Sequence, residues 1–419
     1  MALNPGDTKC MQVGSEGAGL NGRRAVWQDL SFSAILAGVI AVVVGFAGSA
    51  AIVFQAARAA GADDQEIGSW LWALGLGLAL TSVGLSLRFR EPVVTAWSTP
   101  GAALLVTAAS GVPLAECIAA FVICGAMITL SGVTGGFERI MNRMPAGLAA
   151  AMLAGVLLHF GIRIFALLPA HAGLVLGMLA TWLAGRRWWP RYALLAALAV
   201  GVGLAGFQGQ LQGPLPALQL AHPHWVWPRF SLHALAIALP LFLVTMASQN
   251  MPGLAVLRSY GYRATRASPV MTWTGLATLL LAPLGAFAIN LAAITAAICM
   301  GAEVHDDARR RYVAALASGL TYLLLGLFGA TVAAGFAALP PVLVAVLAGM
   351  ALLPTLTMSL ATALIPEQGR EPAMVTFLVT ASGLDWFGLG APLWGLLAGL
   401  VMTWALRRRA DGRVPQARG

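Results

Sequence analysis

Residues 92–106 read Pro-Val-Val-Thr-Ala-Trp-Ser-Thr-Pro-Gly-Ala-Ala-Leu-Leu-Val. The first part, Val93 to Trp97, has the β-branched and aromatic character of an extended strand. Pro100 then lies where a helix would begin, because proline suits the first helical turn, and Ser98 or Thr99 can cap that turn. The stretch therefore predicts a short strand followed by a half-helix.

A second stretch of the same kind, residues 285–295, reads Gly-Ala-Phe-Ala-Ile-Asn-Leu-Ala-Ala-Ile-Thr. Here we expect Asn290 to cap a second half-helix. The two stretches align at an offset of 190 residues, which pairs Trp97 with Phe287. Non-helical backbone is tolerated at membrane depth only inside protein or beside a cavity. The two half-helix N-termini should therefore meet near the membrane midplane, where their dipoles favour an anion.

The composition around these stretches is that of an integral membrane protein. Hydrophobic residues make up 59% of the 419 residues and charged residues only 10%, and the mean hydropathy is +0.81. Soluble domains carry roughly 25% charged residues. Lipid must therefore replace water as the solvent for much of this chain, which predicts an all-α polytopic membrane protein.

Apolar stretches recur from residue 31 almost to the end of the chain. We predict about 14 transmembrane segments, of which the third and the tenth are the short strand and half-helix segments. Their spans are 31–54, 68–87, 93–109, 114–133, 145–165, 171–185, 192–207, 232–250, 268–283, 285–300, 312–334, 339–364, 371–383 and 386–406.

The basic residues predict the orientation of these segments. If the N-terminus is cytoplasmic, 22 of the 25 Lys and Arg residues face the cytoplasm, as the positive-inside rule requires. This orientation makes residues 1–29 a disordered cytoplasmic tail, residues 208–231 an extracytoplasmic loop, and residues 407–419 a basic cytoplasmic tail. It also explains the net charge of +9 without a nucleic acid partner.

Internal similarity divides the chain into two halves. Residues 153–155 and 347–349 both read Leu-Ala-Gly, at an offset of 194, and Gln55 and Gln249 share that offset. We therefore predict a first repeat of seven segments over residues 30–207 and a second over residues 232–406. An odd number of segments in each repeat makes the second inverted in the membrane, as in many secondary transporters.

The chemistry available inside the membrane is that of amides rather than acids. Neither the eighth nor the tenth segment has a central carboxylate, and their amide side chains are those of Gln249, Asn250 and Asn290. Such a site favours an anion over a cation or a uracil-like base. The scattered Cys and His residues predict neither a metal site nor a cofactor, and no catalytic constellation indicates an enzyme.

Four stretches resemble the bacterial benzoate:proton symporter family of the BenE type, and the resemblance extends from about residue 30 to 405. They are residues 49–55 (Ser-Ala-Ala-Ile-Val-Phe-Gln), 95–103 (Thr-Ala-Trp-Ser-Thr-Pro-Gly-Ala-Ala), 249–258 (Gln-Asn-Met-Pro-Gly-Leu-Ala-Val-Leu-Arg) and 290–301 (Asn-Leu-Ala-Ala-Ile-Thr-Ala-Ala-Ile-Cys-Met-Gly).

The resemblance implies the uracil-transporter-like fold that nucleobase, ascorbate and sulfate carriers share. A core domain would comprise about residues 30–133 and 232–334, and a gate domain about residues 145–207 and 339–406. It also implies import of an aromatic carboxylate with a proton across the bacterial inner membrane, by an elevator or rocking form of alternating access. Whether the protein forms a homodimer is left open.

We expect the carboxylate to face the starts of the two half-helices and the ring to lie among three aromatic side chains. The predicted substrate-binding residues are Phe54, Gln55, Trp97, Ser98, Thr99, Pro100, Gly101, Gln249, Asn250, Phe287, Asn290, Leu291 and Ala292. The proton could travel on the carboxylate, on His159 or on a peripheral acid. The alternatives are a nucleobase transporter of the same fold, an anion exchanger, and a channel-like anion pathway.

Overall fold

The computed structural model describes residues 26–136, 146–190, 192–211, 217–365, 367–387 and 389–411. Most of the predicted N-terminal tail and the end of the C-terminal tail lie outside these residues. The helices are α1 (Val26–Asp29), α2 (Phe32–Ala59), α3 (Asp64–Phe89), α4 (Thr99–Ala108), α5 (Leu114–Val133), α6 (Ala146–Ala166), α7 (Leu168–Trp188), α8 (Ala193–Phe207), α9 (Leu232–Thr245), α10 (Met251–Ser259), α11 (Ala267–Leu281), α12 (Ile294–Ile298), α13 (Tyr312–Leu327), α14 (Gly329–Ala337), α15 (Pro341–Leu364), α16 (Arg370–Ala381) and α17 (Ala391–Asp411).

Two short strands, β1 (Thr95–Trp97) and β2 (Ile289–Leu291), complete the fold together with a π-helical turn, Met246–Asn250, that joins α9 to α10. Short 3₁₀ turns lie at Ala282–Leu284, Ala308–Arg310 and Glu367–Gly369. Every predicted segment therefore overlaps a helix or a unit of strand and helix. Both half-helix segments begin with a strand, which the β-branched residues had predicted for the first of them.

Among the described residues, seven helices are long and apolar enough to cross a membrane. Two bent pairs of helices raise that number to nine if each pair is one span. One pair lies within α2 and the other is formed by the 3₁₀ turn and α13 with α14. The protein is therefore a mostly helical, multi-pass membrane protein, while the number of 14 crossings stays a prediction.

The two strands pair with each other in the middle of the molecule. They are antiparallel, with Thr95 opposite Leu291 and Trp97 opposite Ile289, and the pair is centred on Ala96 and Asn290. Because each strand has only three residues and one partner, the flanking backbone groups need other acceptors. Ser82 Oγ on α3 accepts from the Thr95 N–H at 3.0 Å, and Thr278 Oγ1 on α11 accepts from the Ile289 N–H at 3.0 Å.

The strand pair corrects the alignment of the two short segments. β1 begins at residue 95 and β2 at residue 289, which is 194 residues later, whereas the sequence favoured 190. Trp97 therefore corresponds to Leu291 and not to Phe287. The offset of 194 also relates the two hydrogen bonds beyond the strands, from the Ser98 N–H to Ala288 O and from the Ala292 N–H to Val94 O.

The long helices pack in two groups. In the first, α3 packs against α13 and α5 against α11. Glycines permit these contacts, since a Cβ on Gly75 would meet Tyr322 O at 2.5 Å and one on Gly275 would meet the Thr129 N at 2.4 Å. In the second group, α6 packs against α15 and α16, and α7 packs against α8. Helices α2 and α4 contact both groups and form much of the interface between them.

Buried acids lie at the two ends of the molecule. Asp29 accepts from Tyr312 Oη at 2.8 Å and lies beside Arg90 and Arg310. The disorder predicted for residues 1–29 is therefore wrong for 26–29, because this ion-paired carboxylate anchors the α1 turn. The C-terminal prediction is also shifted, since α17 continues beyond residue 406 to Asp411.

The other end of the molecule is covered by part of the loop predicted at residues 208–231. Glu116 in the first turn of α5 accepts from Ser231 Oγ at 2.6 Å. The same loop donates the His224 N–H to Ser69 Oγ and the Val226 N–H to Pro283 O. Residues 212–216 of this loop lie outside the described residues.

Candidate functional site

The first half-helix, α4, begins as its sequence predicts. Ser98 is the N-cap residue, and its Oγ accepts from the Gly101 N–H at 3.0 Å, while Pro100 lies in the first turn. The Ala102 N–H donates to Ser98 O at 2.7 Å. These bonds satisfy the N–H groups of Gly101 and Ala102, and Pro100 has none. Thr99 is only partly buried and is the residue at this helix start that remains accessible.

The second half-helix differs from the prediction. Asn290 does not cap it, because Asn290 lies in the middle of β2 and donates its Nδ2–H to Ala288 O at 2.9 Å. The N-cap residue is Ala293, which provides no side-chain hydrogen bond, and α12 has only five residues. The predicted site residues Leu291 and Ala292 therefore do not lie at the helix start, since Leu291 belongs to the strand and Ala292 to the link between strand and helix.

Asn250 fixes the second strand to the π-helical turn. Its Oδ1 accepts from the Leu291 N–H at 3.0 Å, and its Nδ2–H donates to Met246 Sδ at 3.2 Å. Thr245, one residue before the turn, donates its hydroxyl to Ser98 Oγ at 3.0 Å. The π turn thus contacts both the strand of the second half and the helix cap of the first. Such turns occur frequently at functional sites.

The three aromatic residues predicted to hold the ring, Phe54, Trp97 and Phe287, lie in two separate clusters. Trp97 packs edge-on against Phe46 and Tyr322 and donates its indole N–H to Ser49 Oγ at 2.8 Å. Phe54 stacks on Phe336, which also contacts Phe46, so these residues form one continuous wall.

Phe287 belongs to the other aromatic cluster. It is fully buried and packs against Trp70 and Phe121. Its predicted place beside Trp97 and Phe54 followed from the wrong alignment, and the structure gives it core packing partners instead. Ser49, Thr245, Tyr322 and Phe336 were missed by sequence reasoning because nothing local in the chain distinguishes them. Ser49 alone lay within a motif that the sequence had singled out.

Two amide side chains have buried atoms that lack a hydrogen-bond partner in the described structure, Gln55 Nε2 and Asn290 Oδ1. An unpaired buried polar atom costs about 1–3 kcal/mol, so each such atom calls for a reason. Gln55 and Gln249 are both partly exposed, whereas Asn250 and Asn290 are fully buried. The region thus offers an unsatisfied donor on α2 and an unsatisfied acceptor on β2.

In the described structure, the hydrogen bonds found at the strand pair and the π turn do not come from carboxylates. The hydrogen bonds that the described structure gives to the strands and to the π turn come from hydroxyl, amide and backbone groups. No group of three His, Cys, Asp or Glu side chains in the described ranges could hold a metal ion. His159 and Arg163, a candidate proton-linked pair, are both exposed on the surface of α6.

Comparisons with known proteins identify this arrangement. The model of the family described as benzoate membrane transport protein matches residues 28–405. The inner membrane protein YdcO of Escherichia coli (strain K12) is 47% identical over 378 residues, which are 90% of this chain and 96% of that protein. The benzoate membrane transport protein of Acinetobacter baylyi is 41% identical over 381 residues, again 90% of this chain and 96% of that protein.

Solved structures share the fold at low sequence identity. The overall structure of SLC26A9 has a TM-score of 0.59 at 13% identity and covers 89% of this chain, while this chain covers 65% of that one. The transmembrane domain of the cyanobacterial bicarbonate transporter BicA has a TM-score of 0.57 at 14% identity, covering 88% of this chain and 98% of that one. These likenesses establish the fold class alone.

Proposed function

The chain belongs to the benzoate membrane transport protein family, whose members are transporters and not enzymes, and on that premise we propose that it imports benzoate or a similar aromatic carboxylate together with protons by alternating access. The observation that best supports this is the buried strand pair, which holds two interrupted helices together inside a multi-pass protein. Interrupted helices that meet near the midplane form the substrate sites of several secondary transporters.

We place the carboxyl group beside Thr99 at the start of α4, where the positive end of the helix dipole stabilises its carbonyl oxygen. Gln55 and Gln249 are partly exposed and can donate to it. The ring would lie against Phe54 and Trp97, whose wall continues through Phe46 and Phe336. The five-residue α12 contributes little dipole, so the second half acts through Gln249 and through the unpaired Oδ1 of Asn290.

Asn290 Oδ1, an acceptor without a hydrogen-bond partner in the described structure, favours the substrate itself as the proton carrier over His159 or a peripheral acid. An acceptor that is fully buried is satisfied by an O–H group but not by a carboxylate oxygen. A protonated carboxyl group supplies both the O–H for Asn290 Oδ1 and the C=O for Gln55 Nε2. The proton would then travel on the substrate, while His159, on the exposed face of α6, would have no part in it.

We infer that the 14 predicted segments form two inverted repeats. The offset of 194 residues, common to the strands, to Gln55 and Gln249, and to the hydrogen bonds beside the strands, supports this. The antiparallel pairing does too, because a two-fold axis through the centre of the pair exchanges Thr95 with Ile289.

The two packing groups support the division into core and gate domains. Helices α2 to α5 pack with α9 to α14 and would form the core, at about residues 30–133 and 232–334. Helices α6 to α8 pack with α15 to α17 and would form the gate, at about residues 145–207 and 339–406. Substrate would cross as the core moves against the gate along α2 and α4.

We place the protein in the bacterial inner membrane with both termini in the cytoplasm. The charge bias supports this orientation, and so do the contacts between loops of the same predicted side. Glu91 joins the segment 2–3 loop to the backbone of Ala264 and Thr265, in the segment 8–9 loop, at 2.8 and 2.7 Å. Glu116 and Ser231 make the corresponding contact at the opposite end.

Uptake of labelled benzoate into proteoliposomes tests the proposal. We expect accumulation against a gradient when the outside is acidic, and loss of that accumulation with a protonophore. Benzoate should compete, whereas uracil and sulfate should not. The Gln249→Ala variant should take up benzoate at least about tenfold more slowly, because an oxygen of the substrate's carboxyl group loses its hydrogen-bond donor.

Exposed Gln210 supplies a matched control, since Gln210→Ala changes the same residue type outside the site. Wild-type uptake by Gln249→Ala would remove that residue from the site. Uptake that merely equilibrates benzoate, unaffected by a protonophore, would contradict proton symport.

An anion exchanger is the second candidate, and the fold shared with SLC26A9, an anion transporter, and BicA favours it. It predicts that benzoate inside the vesicles accelerates uptake of labelled benzoate without any pH gradient. Competition by sulfate or bicarbonate would support it further, because an exchanger site need not contain an aromatic wall.

A further inference from the structure

A basic cleft of about 730 Å³ lies away from the strand pair, where α5 ends and α11 begins. It opens at the end of the molecule that we place in the cytoplasm. The residues that line it are Gly135, Arg258, Arg263, Thr265, Arg266, Ala267, Ser268 and Pro269. Nothing in the proposed transport cycle uses these side chains, and no carboxylate is among the lining residues that the structure describes.

The three arginines of the cleft are exposed and lack carboxylate partners within the described residues. Arg258 lies in the last turn of α10, and Arg263 and Arg266 lie in the loop that precedes α11. Glu91 is the nearby acid, but both of its oxygens already accept backbone N–H groups, from Ala264 and Thr265. Three arginines against one nearby carboxylate leave the described part of the cleft with a net positive charge.

The start of α11 adds a second source of positive potential. This helix of 15 residues has Arg266 at its N-cap position, with no side-chain cap. The first N–H groups of a helix have no acceptors within the helix, and the dipole places about half a positive charge there. Ser268 in the first turn adds a hydroxyl group to the cleft wall.

The hydroxyl group of Thr265, which has no hydrogen-bond partner in the described structure, is independent evidence for a ligand. Thr265 is 6% exposed, lines the cleft, and its Oγ1 has no hydrogen-bond partner in the described structure. The Thr265 N–H donates to Glu91 Oε2 at 2.7 Å, which fixes the backbone at this position of the cleft wall. A buried hydroxyl group without a partner is unfavourable unless a ligand satisfies it.

We propose that this cleft binds a phosphate group, of the kind carried by anionic phospholipid headgroups. Phosphate groups in proteins are bound by arginine guanidinium groups, by the free N–H groups at a helix N-terminus and by hydroxyl groups. Basic pockets at the cytoplasmic ends of membrane helices bind such headgroups. Free phosphate presents the same oxygens, so the source is a question for the test. The site is independent of the proposed transport function, because α11 and its loop do not line the substrate site.

The test measures binding to the purified full-length protein in a neutral detergent, by native mass spectrometry or thermophoresis. The probes are dioctanoyl phosphatidylglycerol, dioctanoyl phosphatidylcholine and inorganic phosphate. We expect phosphatidylglycerol to bind at least about tenfold more tightly than phosphatidylcholine, because both lipids carry the phosphate but the three arginines repel the choline cation of the latter. Comparable binding of inorganic phosphate would identify a free anion as the ligand and would equally support the phosphate site.

Two variants and one control locate the binding. Arg263→Gln and Thr265→Val should each weaken phosphatidylglycerol binding, the former by about tenfold. Thr265→Val should not lower the unfolding temperature without ligand, since its hydroxyl group has no partner to lose. Arg309→Gln removes an exposed arginine at the same end but outside the cleft, and should leave binding unchanged.

Binding to either phosphate probe that survives both cleft variants would overturn the proposal, as would equal binding of phosphatidylcholine and phosphatidylglycerol. If Arg263→Gln fails to fold, Thr265→Val still decides the matter, because it conserves both the shape and the charge of the cleft.

Discussion

The two units of strand and half-helix occupy equivalent places in the halves of the chain, but they are stabilised differently. The first has its own helix signals: Ser98 is the cap, ten helical residues follow this cap, and Pro100 lies in the first turn. The second has Ala293 as an N-cap without a side-chain bond and five helical residues. Its strand is held by Asn250 and Thr278, which lie on other helices. Both strands are held by side chains of other helices, but only the first half-helix has local sequence signals that fix its start.

This difference matters for function because the second unit retains a buried polar atom without a hydrogen-bond partner. Asn290 Oδ1 in the second half has none in the described structure, whereas the N–H groups of Gly101 and Ala102 in the first half are already satisfied. A unit held from outside can also change its contacts when the helices around it move. We expect the second unit to respond more strongly to substrate and to mutation than the first.

The largest expected effect concerns the turn that precedes each strand. Arg90 in the first half and Gly285 in the second both have positive φ, 53° and 99°. A Cβ on Gly285 would lie 1.8 Å from the Trp70 ring. Gly285→Ala should therefore destabilise the protein by at least about 3 kcal/mol, from left-handed backbone strain and overpacking together. The thermal unfolding midpoint in detergent measures this.

Gly261→Ala is the control for the part of the cost that comes from left-handed backbone strain. Gly261 has φ of 86°, and a Cβ there would meet nothing within 4 Å. This variant should cost only about 1–2 kcal/mol. If both variants unfold at the same temperature, the contact with Trp70 does not restrict the second turn.

The second-largest expected loss of stability comes from replacing Asn250. Its counterpart 194 residues earlier in the chain is Ala56. Asn250→Ala leaves the buried Leu291 N–H without its acceptor and should cost about 2 kcal/mol. Benzoate uptake should fall as well, because β2 loses its contact with the π turn. Met246→Leu removes only the sulfur that accepts from Asn250 and should cost under about 1 kcal/mol. Equal losses from both variants would contradict this role for the Leu291 N–H.

The same contrast explains what the sequence could predict. The strand at Thr95, the cap at Ser98 and the proline of α4 follow from local stereochemistry, so they could be read from adjacent residues. The apolar segments and the family followed from composition and from motifs. The partner of Leu291 could not be found in this way, because Asn250 lies 41 residues away in sequence.

The errors have physical causes too. Asn290 is a good capping residue by type, but its place in β2 directs its amide to Ala288 O. Phe287 resembled Trp97 only because the alignment was four residues short of the structural offset of 194. In so apolar a chain many alignments score alike, and only the strand pairing distinguishes them.

A smaller effect tests the local stability of the first unit. Ser98→Ala removes the bond from the Gly101 N–H and the acceptor for the Thr245 hydroxyl group, and should cost about 1–2 kcal/mol. Thr99→Ala removes the neighbouring hydroxyl group, which is not the cap, and should cost under about 0.5 kcal/mol. Unfolding midpoints of the two variants measure the difference, and a reversed order would show that Thr99 caps α4 in the membrane.

The smallest expected effect is obtained by giving the second unit the cap that it lacks. In Ala293→Ser the new hydroxyl group should change stability by less than about 0.5 kcal/mol, because a capping side chain needs extended backbone at the N-cap. Ala293 has φ of −105° and ψ of −60°, whereas Ser98 has −74° and 96°. A gain of about 1 kcal/mol would mean that α12 begins like α4 and that the two units are equivalent. An unchanged unfolding midpoint would confirm that the second half-helix is positioned by Asn250 and its other tertiary partners rather than by its own first turn.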